Sequence, residues 1–90
     1  MHRRGDLAGL DLTGLDLSGL DLAEANLRGS VLKDANLTKT QLSGADLSGA
    51  ILTGAKLGEG NLRGATLRAA DLSGANLCGA DLTEAVMEEA

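Results

Sequence analysis

Every fifth residue from Leu7 to Met87 is a large aliphatic: Leu7, Leu12, Leu17, Leu22, then a leucine at each step to Leu82, then Met87. Sixteen leucines and one methionine fill seventeen places without a slip. On an α-helix, residues five apart are turned by about 500°, or about 140° net, so the leucines would smear round the whole surface. On a strand the side-chain period is two, and an odd repeat throws alternate leucines to opposite faces. Leucine-rich repeats need a period of about 20–29 residues. A short extended piece followed by a bend satisfies the pattern, provided the bends keep one sense so that the chain coils.

With each leucine called position i, the neighbouring positions fit such a unit. Two residues earlier the side chain is small almost throughout, as at Ala25, Ser30, Ala35, Ala45 and Ala65. Residues i−2 and i point one way, and the mostly polar i−1 residue points the other. Glycine recurs at i+2, for instance at Gly9, Gly29, Gly49 and Gly79, where it eases the bend. The chain has 90 residues, no aromatic residue and no proline, so Leu and Ala supply nearly all of its apolar surface. Its length suits one small domain.

Three segments carry a family resemblance: ADLSG at 45–49, ANLCG at 75–79 and ADLTE at 80–84. They resemble the A-(D/N)-L-x-x motif of the pentapeptide-repeat family, and seventeen units in register extend the likeness over residues 5–89. The resemblance implies an all-β fold, a right-handed quadrilateral (four-sided) β-helix solenoid of about four coils. Four pentapeptides form one coil, with i and i−2 inward and the other three positions outward. Residues 1–4 are expected to be a disordered N-terminal tail and residues 5–90 the β-helix domain. All sixteen leucines are expected to be nearly fully buried. The structural core is assigned to Leu27, Leu32, Leu37, Leu42, Leu47, Leu52, Leu57, Leu62, Leu67, Leu72 and Leu77.

No set of residues carries catalytic chemistry. Asp6, Asp11, Asp16 and Asp21 fall on different faces of the coil and cannot converge on one ion; they are expected to bond nearby backbone amides. Cys78, the only cysteine, is expected to be an exposed thiol with Lys56 as its one cationic neighbour, too little to activate it. His2 is the only histidine and has no partner. Ser43, Ser48, Thr53 and Ser73 have no base beside them. The glycines open no helix and form no phosphate loop. The reading is a non-enzyme with no catalytic residues, no metal and no cofactor. No signal peptide or membrane-spanning run is apparent, which points to the cytoplasm and to no membrane partner.

The formal charge of −5 and the absence of aromatic stacking residues argue against nucleic acid as a ligand. The favoured function is a scaffold whose flat outer faces bind a protein partner that no residue identifies. The family resemblance offers an alternative, a DNA mimic that binds DNA gyrase and either inhibits it or protects it from quinolones. About 20 Å of duplex carries roughly twelve charges, which this chain does not match. Arg28, Lys33, Lys39, Lys56, Arg63 and Arg68 also interrupt any acidic stripe. The position-i phenylalanines often seen in gyrase-binding members are missing as well.

Two surface features stand out. Val31 and Ile51 occupy i−1, where polar residues are the rule, and lie twenty residues apart, so they should stack on one face as an interaction patch. Asp11 and Asp71 flank them in the same column, with Lys33 and Asp34 at the side. Leu10, Leu15 and Leu20 break the small-residue rule at i−2, all in the first coil, and are expected to plug the N-terminal end. The C-terminal coil is then the expected contact for an end-to-end homodimer.

Overall fold

A computed structural model describes residues 5–90. The expected tail, with His2, lies outside the described residues. The chain winds as a solenoid with a twenty-residue coil. Every bridge joins an i−1 residue to the i−1 residue twenty positions on, always in parallel. Four ladders result: Asp6–Asn26–Asp46–Thr66–Val86, Asp11–Val31–Ile51–Asp71, Asp16–Asn36–Lys56–Asn76 and Asp21–Gln41–Asn61–Asp81. Each coil therefore has four bridged sides and four turns.

The ladders are rows of single-residue bridges rather than extended strands. The five-residue period explains this. Two of five residues are spent on the turn, leaving one outward residue per side to pair. Each unit nevertheless makes several backbone bonds to its neighbours. On the second ladder, Val31 N–H donates to Leu10 C=O at 2.9 Å, while Leu12 N–H donates to Val31 C=O at 2.7 Å. Gly14 N–H adds a bond to Lys33 C=O at 2.9 Å, and Leu15 N–H closes the turn onto Leu12 C=O at 3.2 Å. In that turn Gly14 has φ +71°, the type II pattern that favours glycine at the third position. The same left-handed backbone is imposed on Glu24, Asp34, Lys39, Glu59, Ala69, Glu84 and Glu89, with φ from 56° to 61°. Stacking fixes the turn even where the residue type resists it.

The interior is a stack of Leu and small residues. Leu27 through Leu67 at five-residue steps are fully or almost fully buried, with Ala25, Ala35, Ala45, Ala50, Ala55, Ala65 and Ala70 filling the gaps. The expectation that all sixteen leucines are buried needs correction. Leu7, Leu12, Leu17 and Leu22 in the first coil, and Leu72, Leu77 and Leu82 in the last, are only partly buried against that core. Leu72 and Leu77 thus belong to its margin. Each has a coil on one side alone, whereas a central leucine is covered from both. Ser30 and Thr40, the buried polar residues at i−2, are satisfied by donating to Leu27 C=O at 2.8 Å and Leu17 C=O at 3.0 Å.

Candidate interaction surface

The outward i−1 position has a repeated local task. An Asp or Asn there accepts the amide of the residue two positions on, forming an Asx turn that steadies the bend. Asp11 Oδ1 accepts Thr13 N–H at 3.1 Å and the Thr13 hydroxyl at 2.6 Å. Asp16 does the same with Ser18, Asn36 with Thr38 and Asp81 with Thr83. These are the backbone bonds expected of the acidic series. The hydroxyl and amide of Thr13 hold the Asp11 carboxyl below its usual value. Ser73 does so for Asp71, with a further contribution from Thr53 in the coil before.

Val31 and Ile51 cannot do this. Among the described residues, the Lys33 and Thr53 amides have no hydrogen-bond acceptor, although the equivalent Thr13 and Ser73 amides have one. The two aliphatics are direct neighbours on the second ladder. Ile51 is 40% exposed and Val31 is partly buried. Asp11 and Asp71 close the column at either end, and Lys33 and Asp34 are exposed beside it. The surface is therefore a short apolar ridge between two carboxylates, on a backbone locked by the ladder.

The structure brings no other predicted group into a site. Cys78 is exposed. Its amide donates to Asn76 Oδ1 at 2.9 Å, and Asn76 pairs with Lys56 on the third ladder. Among the described residues no three His, Cys, Asp or Glu side chains gather where they could hold a metal ion, and no helix is long and apolar enough to cross a membrane. Leu10, Leu15 and Leu20 stand at the N-terminal end, 39%, 46% and 46% exposed, outside the set of leucines packed on the core.

Charge shows an order that residue-by-residue reading misses. Residues 5–24 carry five carboxylates and no cationic side chain. Residues 25–69 carry six cationic groups against three carboxylates, and residues 70–90 again carry five carboxylates and no cation. Counting by coil rather than along the chain would have found it. Ion pairs link the coils where cations occur: Arg28 to Asp46 at 3.7 Å, Lys39 to Glu59 at 3.8 Å and Arg63 to Asp81 at 3.4 Å. All are solvent-exposed and contribute little to stability.

The periodic core, the twenty-residue coil and the Asx-capped turns define a class, and the sequence itself matches "Pentapeptide repeats (8 copies)" over residues 3–29, 16–54, 30–68 and 60–90. The chain belongs to the pentapeptide-repeat family. Among solved structures it is similar to a pentapeptide repeat protein from Nostoc Pcc 7120, at 40% identity and TM-score 0.82, over 83% of this chain and 62% of that one. It is also similar to a pentapeptide repeat protein from the Arabidopsis thaliana thylakoid lumen, at 34% identity and TM-score 0.57, over 91% of this chain and 65% of that one. The chain thus spans under two thirds of either protein. A search of curated proteins finds no match.

Proposed function

We propose that this chain is a non-enzymatic scaffold, a right-handed four-sided β-helix that binds a protein partner laterally through the Val31–Ile51 ridge. One observation carries the reading. The Asx hydrogen bond that Asp and Asn make at most turns is absent at Gln41, Lys56, Thr66 and Val86 as well, but only Val31 and Ile51 set two aliphatics on neighbouring rungs of one ladder. Surface positions that give up a local hydrogen bond fit a functional role, because function is often traded against stability. The ridge is small, so it suits an anchoring contact within a larger, flatter interface. DNA mimicry finds less support. A mimic needs an unbroken acidic face, and here the two central coils are net cationic.

The test is affinity capture from the native host with wild type and with Val31→Thr/Ile51→Thr, which leaves the interior untouched. The reading expects a partner held by wild type and lost by the variant at unchanged circular dichroism. Equal capture by both would remove the ridge from the interface. Inhibition or protection of DNA gyrase by the wild-type chain in a supercoiling assay would favour mimicry instead.

A further inference from the structure

A ligand site separate from the lateral ridge lies at the corner that follows the first ladder. The i+1 residues stacked there are Arg28, Ser48 and Arg68, one to a coil. Backbone bonds hold the column in register: Gly29 N–H donates to Ser48 C=O at 2.9 Å and Gly49 N–H to Arg68 C=O at 2.8 Å. Serine is short and Gly49 has no side chain, so an open depression forms between the two arginines, with Asp46 and Thr66 also in its lining.

The donors at this corner are unspent. Elsewhere an arginine at i+1 bonds the i−1 carboxylate eighteen residues on: Arg63 donates to Asp81 Oδ2 at 3.4 Å. Arg28 stands 3.7 Å from the equivalent Asp46 Oδ2, a charge contact too long for a hydrogen bond. For Arg68 the equivalent residue is Val86, and among the described residues its guanidinium has no carboxylate partner. The Arg68 main-chain amide is in the same position. Asn26 Oδ1 accepts Arg28 N–H at 3.2 Å and Asp46 Oδ1 accepts Ser48 N–H at 3.0 Å. Thr66 follows them on the ladder, and among the described residues neither its hydroxyl nor the Arg68 N–H finds a partner. Two carboxylates also line the depression. Asp46 is held by the Ser48 amide and hydroxyl, at 3.0 and 2.6 Å, and Glu89 is exposed.

We infer that this corner binds a phosphate group between Arg28 and Arg68, with one oxygen on the Arg68 amide and the Thr66 hydroxyl. That oxygen takes the part that Asp46 Oδ1 plays for the Ser48 amide and hydroxyl one coil earlier. Guanidinium forks match phosphate oxygens, and a dianion bonds both arginines at once, which offsets the two carboxylates nearby. Coils rise by about 4.8 Å, so the two arginines start about 10 Å apart, room for one phosphate bonded on both sides. The phosphate is either the free ion or one carried on a side chain of another protein.

The test is amide NMR of the full chain with sodium phosphate, with a phosphoserine peptide and with the unphosphorylated peptide, at matched ionic strength. Phosphate should shift the Arg68 amide saturably, and more tightly at about pH 7.5 than at about pH 5.5, because its second ionisation lies near 6. Arg68→Gln should weaken binding about tenfold or more, and Arg28→Gln severalfold. Thr66→Asn should cap the Arg68 amide as Asn26 caps that of Arg28, so it should fold and still weaken binding severalfold. Glu89→Gln removes a like charge from the lining and should tighten binding, whereas Arg63→Gln, at another corner, should leave it unchanged. Tighter binding of the phosphopeptide than of inorganic phosphate, with the unphosphorylated peptide inert, assigns the site to a phosphorylated partner; equal or weaker binding assigns it to the free ion. No saturable shift with either phosphate probe, binding unaffected by Arg68→Gln, or equal loss on Arg63→Gln would each overturn the inference.

Discussion

The two central coils and the two end coils obey one repeat and differ in almost every physical property. In residues 25–69 the periodic leucines are at most 1% exposed and the outer surface is net cationic. In residues 5–24 and 70–90 the same leucines are partly exposed, and the outer surface is wholly acidic. The repeat fixes which way a side chain points; the number of coils packed on it fixes how much water it loses. A solenoid therefore has a graded core, weakest at both ends, as expected for a fold held by nearest-neighbour contacts. The carboxylates are concentrated on the first and last described coils.

The largest way to break this contrast is to put a charge at its centre. Leu52→Asp would bury an unpaired carboxylate between two coils and should abolish cooperative folding, read by circular dichroism. A gentler pair sharpens it. Leu47→Ala should cost about 2–5 kcal/mol in urea denaturation. Leu82→Ala should cost roughly half as much, because part of that side chain already lies in water. Equal costs would mean the ends are as well packed as the middle.

A smaller contrast lies in the turns. Gly49 and Ala69 occupy successive places in one column, with φ +68° and +60°. A Cβ added at Gly49 meets nothing within 4 Å, so Gly49→Ala isolates the backbone cost, about 1 kcal/mol. Ala69→Gly should be stabilising by about 0.5 kcal/mol, left-handed strain relieved outweighing the glycine's extra freedom when unfolded. Thermal denaturation of both variants reads the two signs.

The smallest effect is acid. Hydrogen bonds from Thr13 and Ser18 hold the Asp11 and Asp16 carboxyls below the ordinary aspartate value of 3.8. A depressed folded-state value means their stabilisation is complete above 3.8 and fades as the pH falls through the lower folded value. Thr38, one coil later, donates to Asn36, which has no carboxyl to protonate. Amide resonances of Thr13 and Ser18 should therefore titrate on acidification while that of Thr38 stays put. Parallel movement of all three would point to global loosening instead.

Much of this was legible in the chain alone. The five-residue period excludes helix and simple strand on geometry, and it placed the Leu27–Leu67 interior and the Val31–Ile51 pair in one column. What it could not convey is anything that depends on how many neighbours a coil has. Leu72 reads like Leu52, yet one is partly buried and the other fully. Glu24 reads as an unremarkable loop residue, but the ladder forces it to φ +61°. The ridge was visible as an anomaly in polarity. Its cost, two Asx turns left unmade, needed the hydrogen-bond pattern of the other turns for comparison.

The central claim is that Val31 and Ile51 serve contact rather than stability, and Val31→Asn/Ile51→Asn tests it most directly. Asparagine at i−1 can accept the Lys33 and Thr53 amides as Asn36 accepts that of Thr38. Each restored bond is worth about 1 kcal/mol, against about 0.2–1 kcal/mol for the aliphatic pair. The unfolding free energy of the double variant, from urea denaturation, should therefore stay level or rise, by about 1 kcal/mol at 25 °C. A fall of about 2 kcal/mol or more, the size of a core truncation, would contradict the account and make the ridge a structural element.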